Sequence, residues 1–431
     1  MNHPMPRPSL WPTTAGLTRR EIMRRAGLTV MGLGAAPSIL AACGDDDDDA
    51  GSGNTSGGSA ETSGTPAGTS GTAATTATTA GTTASTEGGA GGATGAINYL
   101  SWEGYDLPVE SIEAFKSATG ISINASYIAN HDEIQAKITA GGDAAGYDLI
   151  TYYQGYKPLY TELDILTPLD ESKLPNLEGM LPFWGSAEQG FWIDDDGTRT
   201  GVPFTWGSIG LTYNSEETPE LPSWYDLLDP SFKGRVGMVD DPAGNLALAC
   251  KILSLKTNEL PKDQMADVVE LLEQFAAQTK GVAPSFGDMT SQLVSGEIVA
   301  CFHGWAAMNS FAAAEGLTTV KTNLPSEGSH SFCDAYAIPP TTTNPDAAHA
   351  WINQSLDPTT NAEAAIYLVG AVTVADAVEQ LDEATKALYP YEDLETLLEQ
   401  APLAINAPTE SDEFVTFPEW LDAWQQIKAG V

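Results

Sequence analysis

The sequence predicts an α/β protein whose folded part forms two lobes. From residue 97 onward, strand-like and helix-like segments alternate in a βαβαβ order, which is typical of a parallel sheet covered by helices. The folded part spans residues 97–431, more than one hydrophobic core usually accommodates. The residues before it have the composition of a leader and a flexible tract, so they cannot add to a core.

The first 42 residues are typical of an export signal. Arg19 and Arg20 precede a 15-residue apolar run, Leu28–Ala42, which is too short to span a bilayer comfortably. This is the layout of a twin-arginine signal. The end of the run and Cys43 (Leu-Ala-Ala-Cys) resemble the bacterial lipobox, whose cysteine is acylated after cleavage just before it. We therefore expect an extracytoplasmic lipoprotein, anchored to the outer face of the cell membrane through Cys43. The alternative is a plain signal peptide with an incidental cysteine.

Residues 43–96 are predicted to form a disordered tether. Asp45–Asp49 is followed by a tract made almost wholly of Gly, Ser, Thr and Ala. Such a tract has too few large apolar side chains to offset the chain entropy lost on folding. A Gly-rich chain of this length reaches roughly 40 Å, which suits a domain that must meet a partner in the membrane.

The chain is strongly acidic, with a formal net charge of −39. Residues 1–42 contain five arginines and one glutamate, so their removal makes the mature chain more acidic still. Nucleic acid and anionic lipid are poor partners for such a surface. We expect a monomer that uses its acidic surface mainly for solvation.

Cysteine and histidine usage gives no indication of a metal site. Apart from Cys43 the cysteines are Cys250, Cys301 and Cys333, and none has metal-ligand spacing. At most one disulfide can form among them, and the sequence leaves open whether they pair or stay as buried thiols. The five histidines are scattered. We predict no metal and no cofactor, and the chain contains no Gly-x-Ser-x-Gly, His-Glu-x-x-His or phosphate-loop motif of an enzyme.

The first α/β unit is predicted from hydrophobic patterning and from glycines that end helices. Its segments are strand 97–102, helix 109–119, strand 121–128, a helix ending near 139 and strand 147–151. A proline-rich passage then leads to an extended segment at 201–204 and a strand at 210–214.

The second unit follows the same alternation. Its predicted segments are strand 235–240, a helix from 245, helix 262–280, helix 289–295, strand 298–303, a crossing strand 335–339, and helices 347–355, 361–368, 373–381 and 417–428. The long helix 262–280 carries an apolar stripe, Met265, Val268, Val269, Leu272 and Phe275, which is predicted to face the core.

Seven short motifs occur in one order along the folded part. They are Ile97–Tyr105, Tyr147–Ile150, Leu166–Asn176, Val202–Gly207 before Tyr213-Asn214, Ser223–Leu227 with Lys233-Gly234, Gly296-Glu297, and Asp334–Pro339. In this order they resemble the spermidine/putrescine-binding proteins of ATP-binding cassette importers. The resemblance implies a type II periplasmic-binding-protein clamshell, with strands crossing between the lobes near 203–206 and 334–338. Lobe 1 would comprise residues 97–204 and 334–378, and lobe 2 residues 205–333 and 379–431.

The resemblance also implies a ligand site in the cleft and delivery of the ligand to a membrane permease. A polyamine site needs carboxylates for the ammonium groups and aromatic faces beside the methylene chain. Asp334 and Asp241 match the acids of the family, with Asp240 as the alternative to Asp241. The aromatic residues that match the family are Trp102, Tyr105, Phe332 and Trp305. Tyr153 is a further candidate for a ligand contact.

One end of this site departs from the family. Where its polyamine binders often carry a second acid, three residues after Asp241, this chain has Gly244. Glu103 or Tyr153 could compensate, so a diamine, a triamine, a monoamine such as a quaternary ammonium, and an amino acid derivative all remain open. Aromatic platforms with carboxylates also suit sugars, and a pair of carboxylates suits an exported hydrolase such as a glycosidase. We interpret the chain as a binding protein for a cationic amine rather than an enzyme.

Overall fold

The computed structural model describes residues 95–102, 109–128, 137–138, 146–186 and 190–431. The predicted signal peptide, Cys43 and all but the last two residues of the predicted tether lie outside these ranges, as do Glu103 and Tyr105. Within the described ranges, no helix combines the length and apolar character needed to cross a bilayer.

The described strands form one mixed sheet in the order β2-β1-β3-β8-β4-β6-β5, and β7 also pairs with β4. The strands are β1 Ala96–Trp102, β2 Ser122–Ile128, β3 Leu149–Tyr153, β4 Val202–Asn214, β5 Val236–Met238, β6 Ala300–Trp305, β7 Val320–Asn323 and β8 Ser331–Ala337.

Helices cover the sheet and follow most of its strands. The α-helices in the described ranges are α1 Val109–Thr119, α2 Lys157–Glu162, α3 Pro182–Gly185, α4 Pro242–Ile252, α5 Met265–Ala276, α6 Phe286–Val294, α7 Ala307–Ala314, α8 Pro345–Ser355, α9 Pro358–Leu368, α10 Glu383–Lys386, α11 Leu394–Gln400 and α12 Phe417–Ala429. Short 3-10 turns lie at Gln154–Tyr156, Glu171–Lys173, Pro175–Gly179, Trp224–Leu228, Pro230–Phe232, Thr257–Glu259, Lys262–Gln264, Ala375–Gln380 and Tyr391–Asp393.

The predicted βαβαβ unit is present in the first half of the sheet. β1 pairs in parallel with β2 on one side and with β3 on the other. Of the helix predicted to end near residue 139, residues 137–138 are described, and both are helical. Strand β8 then closes this half by pairing antiparallel with β3.

Strand β4 connects the two halves of the sheet. It has 13 residues, and every one is buried. Its first part, Val202–Ser208, pairs with β8, and the part from Ile209 onward pairs with β6 and β7. The sequence predicted two separate segments here, but they form one strand, because a register shift between Pro203 and Thr205 accommodates the proline that has no N–H. The mixed sheet and its relation to solved structures, given below, confirm the predicted α/β clamshell; the predicted lobe boundaries stay predictions.

The predicted helix over residues 373–381 is wrong. Ala371 forms a bridge with Trp206, and Val374 forms one with Met180. Thr373 donates through its hydroxyl to the carbonyl of Pro203, at 3.0 Å. The N–H groups of Thr373 and Val374 donate to the side chain of Asn361, so the start of this segment is bonded to other parts of the chain, and helical geometry is limited to the 3-10 turn Ala375–Gln380. Helix α5 is also shorter than predicted, although Val268, Leu272 and Phe275 of its apolar stripe are buried as expected.

The segment before α8 is fastened to β1 by a buried carboxylate, that of Asp148. Oδ2 of Asp148 accepts from the backbone N–H of Asn98 at 2.9 Å. Oδ1 accepts from the backbone N–H groups of Thr343 and Asn344, at 2.9 and 3.0 Å, and from the Thr342 hydroxyl. Asp148 is 1% exposed, so these bonds satisfy a charge that would otherwise be costly to bury.

Candidate ligand-binding site

A cavity of about 370 Å³ lies where β4, β6 and β8 meet the first turns of α4, α6 and α12. Six of the seven predicted ligand-contacting residues line it: Trp102, Tyr153, Asp241, Trp305, Phe332 and Asp334. The seventh, Tyr105, lies outside the described residues. The predicted residues come from five separate parts of the chain, so the fold brings them together.

Asp334 lies in the middle of the sheet. Its backbone is opposite Tyr153 of β3 on one side and Thr205 of β4 on the other. Asp334 is only 3% exposed, and it borders the cavity. A carboxyl group held in the centre of a sheet is shielded from water, so a charge brought next to it acts more strongly than in solution.

Tyr153 lies close enough to both predicted acids to be affected by their charges. Burial raises the pKa of its phenol, and the negative charges of Asp241 and, more weakly, Asp334 raise the pKa further. The phenol therefore stays protonated at physiological pH. Tyr153 therefore contributes a neutral aromatic side chain, and no negative charge, to the cavity lining.

Asp241 has two roles at the start of α4. It is the N-cap, and its Oδ1 accepts from the backbone N–H of Gly244 at 3.0 Å. The side chain is 40% exposed, toward the cavity. The surrounding protein nevertheless desolvates the carboxyl group, which raises its pKa. The hydrogen bond from Gly244 acts in the opposite direction and lowers the pKa.

The alternative acid, Asp240, is already engaged. One of its oxygens accepts from Trp424 Nε1 and the other from Lys428 Nζ, both at 2.8 Å. Asp240 therefore fastens α12 to the end of β5. Asp241 is the acid of this pair that has an oxygen available to a ligand.

The aromatic residues of the cavity differ in burial from most other tryptophans. Seven tryptophans are less than 2% exposed, in keeping with a core role. Trp102 and Trp305, by contrast, are only partly buried and border the cavity, as does Phe332. Trp305 and Phe332 meet edge to face with centroids 5.5 Å apart. Gly207 makes room for this pair, because a Cβ there would lie 2.7 Å from Phe332 and 2.9 Å from Trp305 Nε1.

Two histidines that the sequence did not single out also line the cavity. His303 lies in β6 with φ +63°, and His330 directly precedes β8. Their rings are 5.4 Å apart, centroid to centroid. Burial lowers the pKa of each imidazole to about 3, so both are neutral at physiological pH. The charge of Asp241 and, more weakly, backbone groups of Ser331 and Gly244 raise the pKa of His330, but burial, together with the neighbouring His303, outweighs them.

Sequence spacing could not reveal this pair. His303 and His330 become neighbours because β4 pairs with both β6 and β8; for example, the N–H of Ile209 donates to the carbonyl of His330 at 2.9 Å, and Ile209 is opposite Trp305. Phe286, from the start of α6, was missed for the same reason, and its ring meets those of both His303 and Trp305.

A smaller cavity of about 180 Å³ lies beside the first and shares Tyr156 and Phe417 with it. These two rings meet edge to face at 5.9 Å. The part of the chain that the structure describes contains no group of three or more His, Cys, Asp or Glu side chains placed to hold a metal ion. Cys250, Cys301 and Cys333 are free and buried, which answers the question that the sequence left open.

Comparison with known proteins identifies a family. The model of the family described as bacterial extracellular solute-binding protein matches residues 110–390. The chain is 25% identical over 356 residues to the putrescine-binding periplasmic protein SpuD of Pseudomonas aeruginosa, covering 78% of this chain and 92% of that protein. It is 28% identical over 274 residues to spermidine/putrescine-binding periplasmic protein 1 of Haemophilus influenzae, covering 61% and 72%.

Solved structures show the same fold. The spermidine/putrescine ABC transporter substrate-binding protein PotD of Streptococcus pneumoniae superposes with a TM-score of 0.62 at 23% identity, over 78% of this chain and 99% of that one. The TpPotD lipoprotein of Treponema pallidum superposes with a TM-score of 0.64 at 20% identity, over 78% and 99%. The predicted resemblance and fold class are thus confirmed.

Proposed function

The chain belongs to the bacterial extracellular solute-binding proteins, and from this premise we propose that it captures a cationic amine of the putrescine or spermidine type in its cleft. It does so outside the cytoplasmic membrane and hands the amine to the permease of an ATP-binding cassette importer. The family consists of binding proteins rather than enzymes, which argues against the hydrolase alternative. Relatives named for putrescine and spermidine binding support the ligand class.

The observation that carries the proposal is the combination of two carboxylates and several aromatic faces in one cavity. Asp334 and Asp241 both border it, and Asp334 is almost wholly buried. A buried carboxylate is stabilised by a cation that donates hydrogen bonds to it, and an ammonium group has three such donors. A diamine supplies one ammonium group for each carboxylate.

The aromatic residues suit the part of the ligand between its charges. Trp102, Trp305 and Phe332 present partly exposed rings to the cavity. Such faces stabilise a nearby ammonium group by cation–π attraction and cover methylene groups by apolar contact. Tyr153 adds a further neutral aromatic side chain, and we propose that Tyr105, which follows β1 in sequence, completes the enclosure.

No bond is made or broken in this function. Ligand bound between the lobes contacts both of them, so it stabilises the closed form relative to the open one. β4 and β8 connect the halves of the sheet, and we assign the bending to these strands. Closure then presents the permease with a surface that differs from that of the empty protein.

We further propose that the protein is exported through its twin-arginine leader and retained by a lipid on Cys43. The acid run and small-residue tract after Cys43 would let the folded part move away from the membrane and return to the permease. A family of extracellular binding proteins is consistent with this location.

Isothermal titration calorimetry tests the ligand. We expect butane-1,4-diamine or spermidine to bind the wild-type protein, and Asp334→Asn to weaken binding at least 100-fold, because truncating a buried charge pair costs about 2–5 kcal/mol. Glucose and maltose serve as sugar controls and should give no heat. Asp240→Asn is the matched acid control, and it should change affinity less than threefold because both oxygens of Asp240 are engaged elsewhere. Heat with the sugars but not with the amines would contradict the proposal.

A further inference from the structure

The end of the cavity next to Asp241 contains two imidazoles for which the family resemblance gives no role. His303 is 0% exposed and His330 is 4% exposed, and both border the cavity. They lie where the sequence predicted that a second acid was missing. The question is which chemical group such an end would accept.

Asn245 fixes the protonation of His303. Its side-chain amide donates through Nδ2 to the carbonyl of Val239 at 2.8 Å, so its Oδ1 is the atom that faces the imidazole. Nδ1 of His303 lies 3.1 Å from that oxygen. Nδ1 must therefore carry the hydrogen, and in the neutral ring Nε2 presents a lone pair.

That lone pair faces another acceptor. Nε2 of His303 has no hydrogen-bond partner within the described ranges, and it lies 3.7 Å from Oδ2 of Asp241. Oδ1 of Asp241 is occupied by the N–H of Gly244, whereas Oδ2 is directed toward the imidazole. Two acceptors at this separation are complementary to a group that donates to both, and an ammonium group is such a donor.

His330 extends the same surface. Neither of its ring nitrogens has a hydrogen-bond partner among the residues that the structure describes. Its ring stands at 72° to that of His303, so the two rings present different edges to the cavity. A neutral imidazole contributes one further acceptor here without adding a charge.

Gly244 leaves room for the imidazole of His303, which a larger residue at this position would not. A Cβ at this position would overlap Cε1 of His303 and Oδ2 of Asp241. An acidic side chain at 244 therefore cannot be accommodated while His303 holds its place. The chain has the imidazole of His303 in the space that such an acid would need.

We propose that His303 and His330 form, together with Asp241, a specificity-determining receptor for the second ammonium group of a diamine. This inference rests on the proposed amine-binding function and deepens it. One carboxylate and two neutral imidazoles hold this ammonium group, in place of two carboxylates. The same acceptors repel a carboxylate, so the site discriminates between a diamine and an ω-amino acid of equal length.

Three probes of the same chain length test this inference by calorimetry: butane-1,4-diamine, butylamine and 4-aminobutyrate. The wild-type protein should bind the diamine at least tenfold more tightly than butylamine, and 4-aminobutyrate more weakly than either. In the double variant His303→Asn/His330→Phe, the preference for the diamine over butylamine should fall at least tenfold. Asn tolerates the positive φ of position 303, and Phe keeps the ring volume at 330.

His349→Asn is the matched control. His349 is a buried histidine away from the cavity, and its Nε2 accepts from the N–H of Asp170 at 2.9 Å. Its loss should lower the melting temperature and leave the diamine preference unchanged. If the double variant does not fold, His330→Phe alone should reduce the preference at least threefold.

An unchanged preference in the folded variants would overturn the inference while leaving the amine-binding function intact. Tighter binding of 4-aminobutyrate than of butylamine would also overturn it, because the imidazoles would then act as cations. A wild-type protein that binds none of the amines would remove the proposed function and this inference together.

Discussion

Gly244 shows how one small residue determines the chemistry around it. Its N–H donates to the carboxylate of the N-cap residue Asp241, and the absence of a Cβ leaves room for His303. In an ordinary helix, glycine is about 1 kcal/mol less favourable than alanine. Here the side chains of His303 and Asp241 occupy the space that an alanine methyl group would need, so glycine is required despite the helical preference for alanine.

Replacement of this glycine should be harmful. We expect Gly244→Ala to lower the free energy of unfolding by about 1–2 kcal/mol, because overpacking costs about 1–3 kcal/mol and exceeds the helical gain. Diamine affinity should fall as His303 and Asp241 are displaced. Chemical denaturation and calorimetry measure the two effects.

Gly287→Ala is the control for this prediction. Gly287 also lies in the first turn of a helix, α6, but a Cβ there would lie 3.6 Å from its nearest neighbour, Ser285 Oγ, an ordinary contact. This change should stabilise the protein by about 0.5–1 kcal/mol. Similar destabilisation by both substitutions would show that the space around Gly244 is not the cause.

At the same scale, residue identity predicted part of the cavity lining, while ligand binding by these residues stays a prediction. Asp334 and Trp102 could be named because they stand in motifs that resemble the family. The histidines could not, since their proximity arises from long-range pairing through β4 rather than from any spacing along the chain. Tyr105 stays a prediction.

Among the elements, local patterning succeeded where one chain segment decides its own structure. α1 and its neighbouring parallel strands were predicted within a residue or two, because hydrophobic periodicity and the terminal Gly120 determine them. The predicted helix 373–381 failed this reasoning, since the N–H groups of Thr373 and Val374 donate to the side chain of Asn361 instead of to a helical carbonyl. The sequence alone contains no signal of that pairing.

Asp148 gives a test of how elements are fastened together. Asp148→Ala removes four hydrogen bonds of 2.9–3.0 Å and a longer one from the Thr343 hydroxyl, and it leaves buried donors unsatisfied, so it should lower the free energy of unfolding by about 3 kcal/mol. Because Asp148 does not border the cavity, diamine affinity should change less than twofold. Chemical denaturation and calorimetry provide these values.

Asp170→Ala is the matched comparison. Asp170 also accepts from backbone and hydroxyl groups, those of Ser172, but on the surface. Its loss should cost about 1 kcal/mol, as is usual for an exposed cap. Equal losses for the two variants would contradict a special role for Asp148.

For the whole molecule, motif order predicted the clamshell, which is confirmed, and composition predicts a division into a leader, a tract of small residues and a folded part, which stays a prediction. Both rest on properties averaged over many residues, which makes them robust to local error. The identity of the ligand could not be predicted in this way. It depends on a few side chains at distances that only the assembled sheet defines.

Cys43→Ser tests the proposed anchoring in cells. We expect the variant to move from the membrane to the soluble extracytoplasmic fraction and to lose incorporation of labelled palmitate, because the thiol that receives the lipid is gone. Fractionation and metabolic labelling measure this. Cys250→Ser, which alters a buried thiol of the folded part, should remain in the membrane fraction. A Cys43→Ser protein that stays with the membrane would rule out this anchor.

The pairing of β3 with β8 also constrains the order in which the chain can fold. The N–H of Cys333, in β8, donates to the side chain of Gln154, just after β3, at 2.7 Å, and the two residues are separated by 179 positions. The first half of the sheet is therefore incomplete until most of the chain has been synthesised. Contacts of such high order slow folding, and the unpaired edge of β3 stays exposed to aggregation in the meantime. A nascent chain of this protein thus depends on protection of that edge before it acquires any affinity for a ligand.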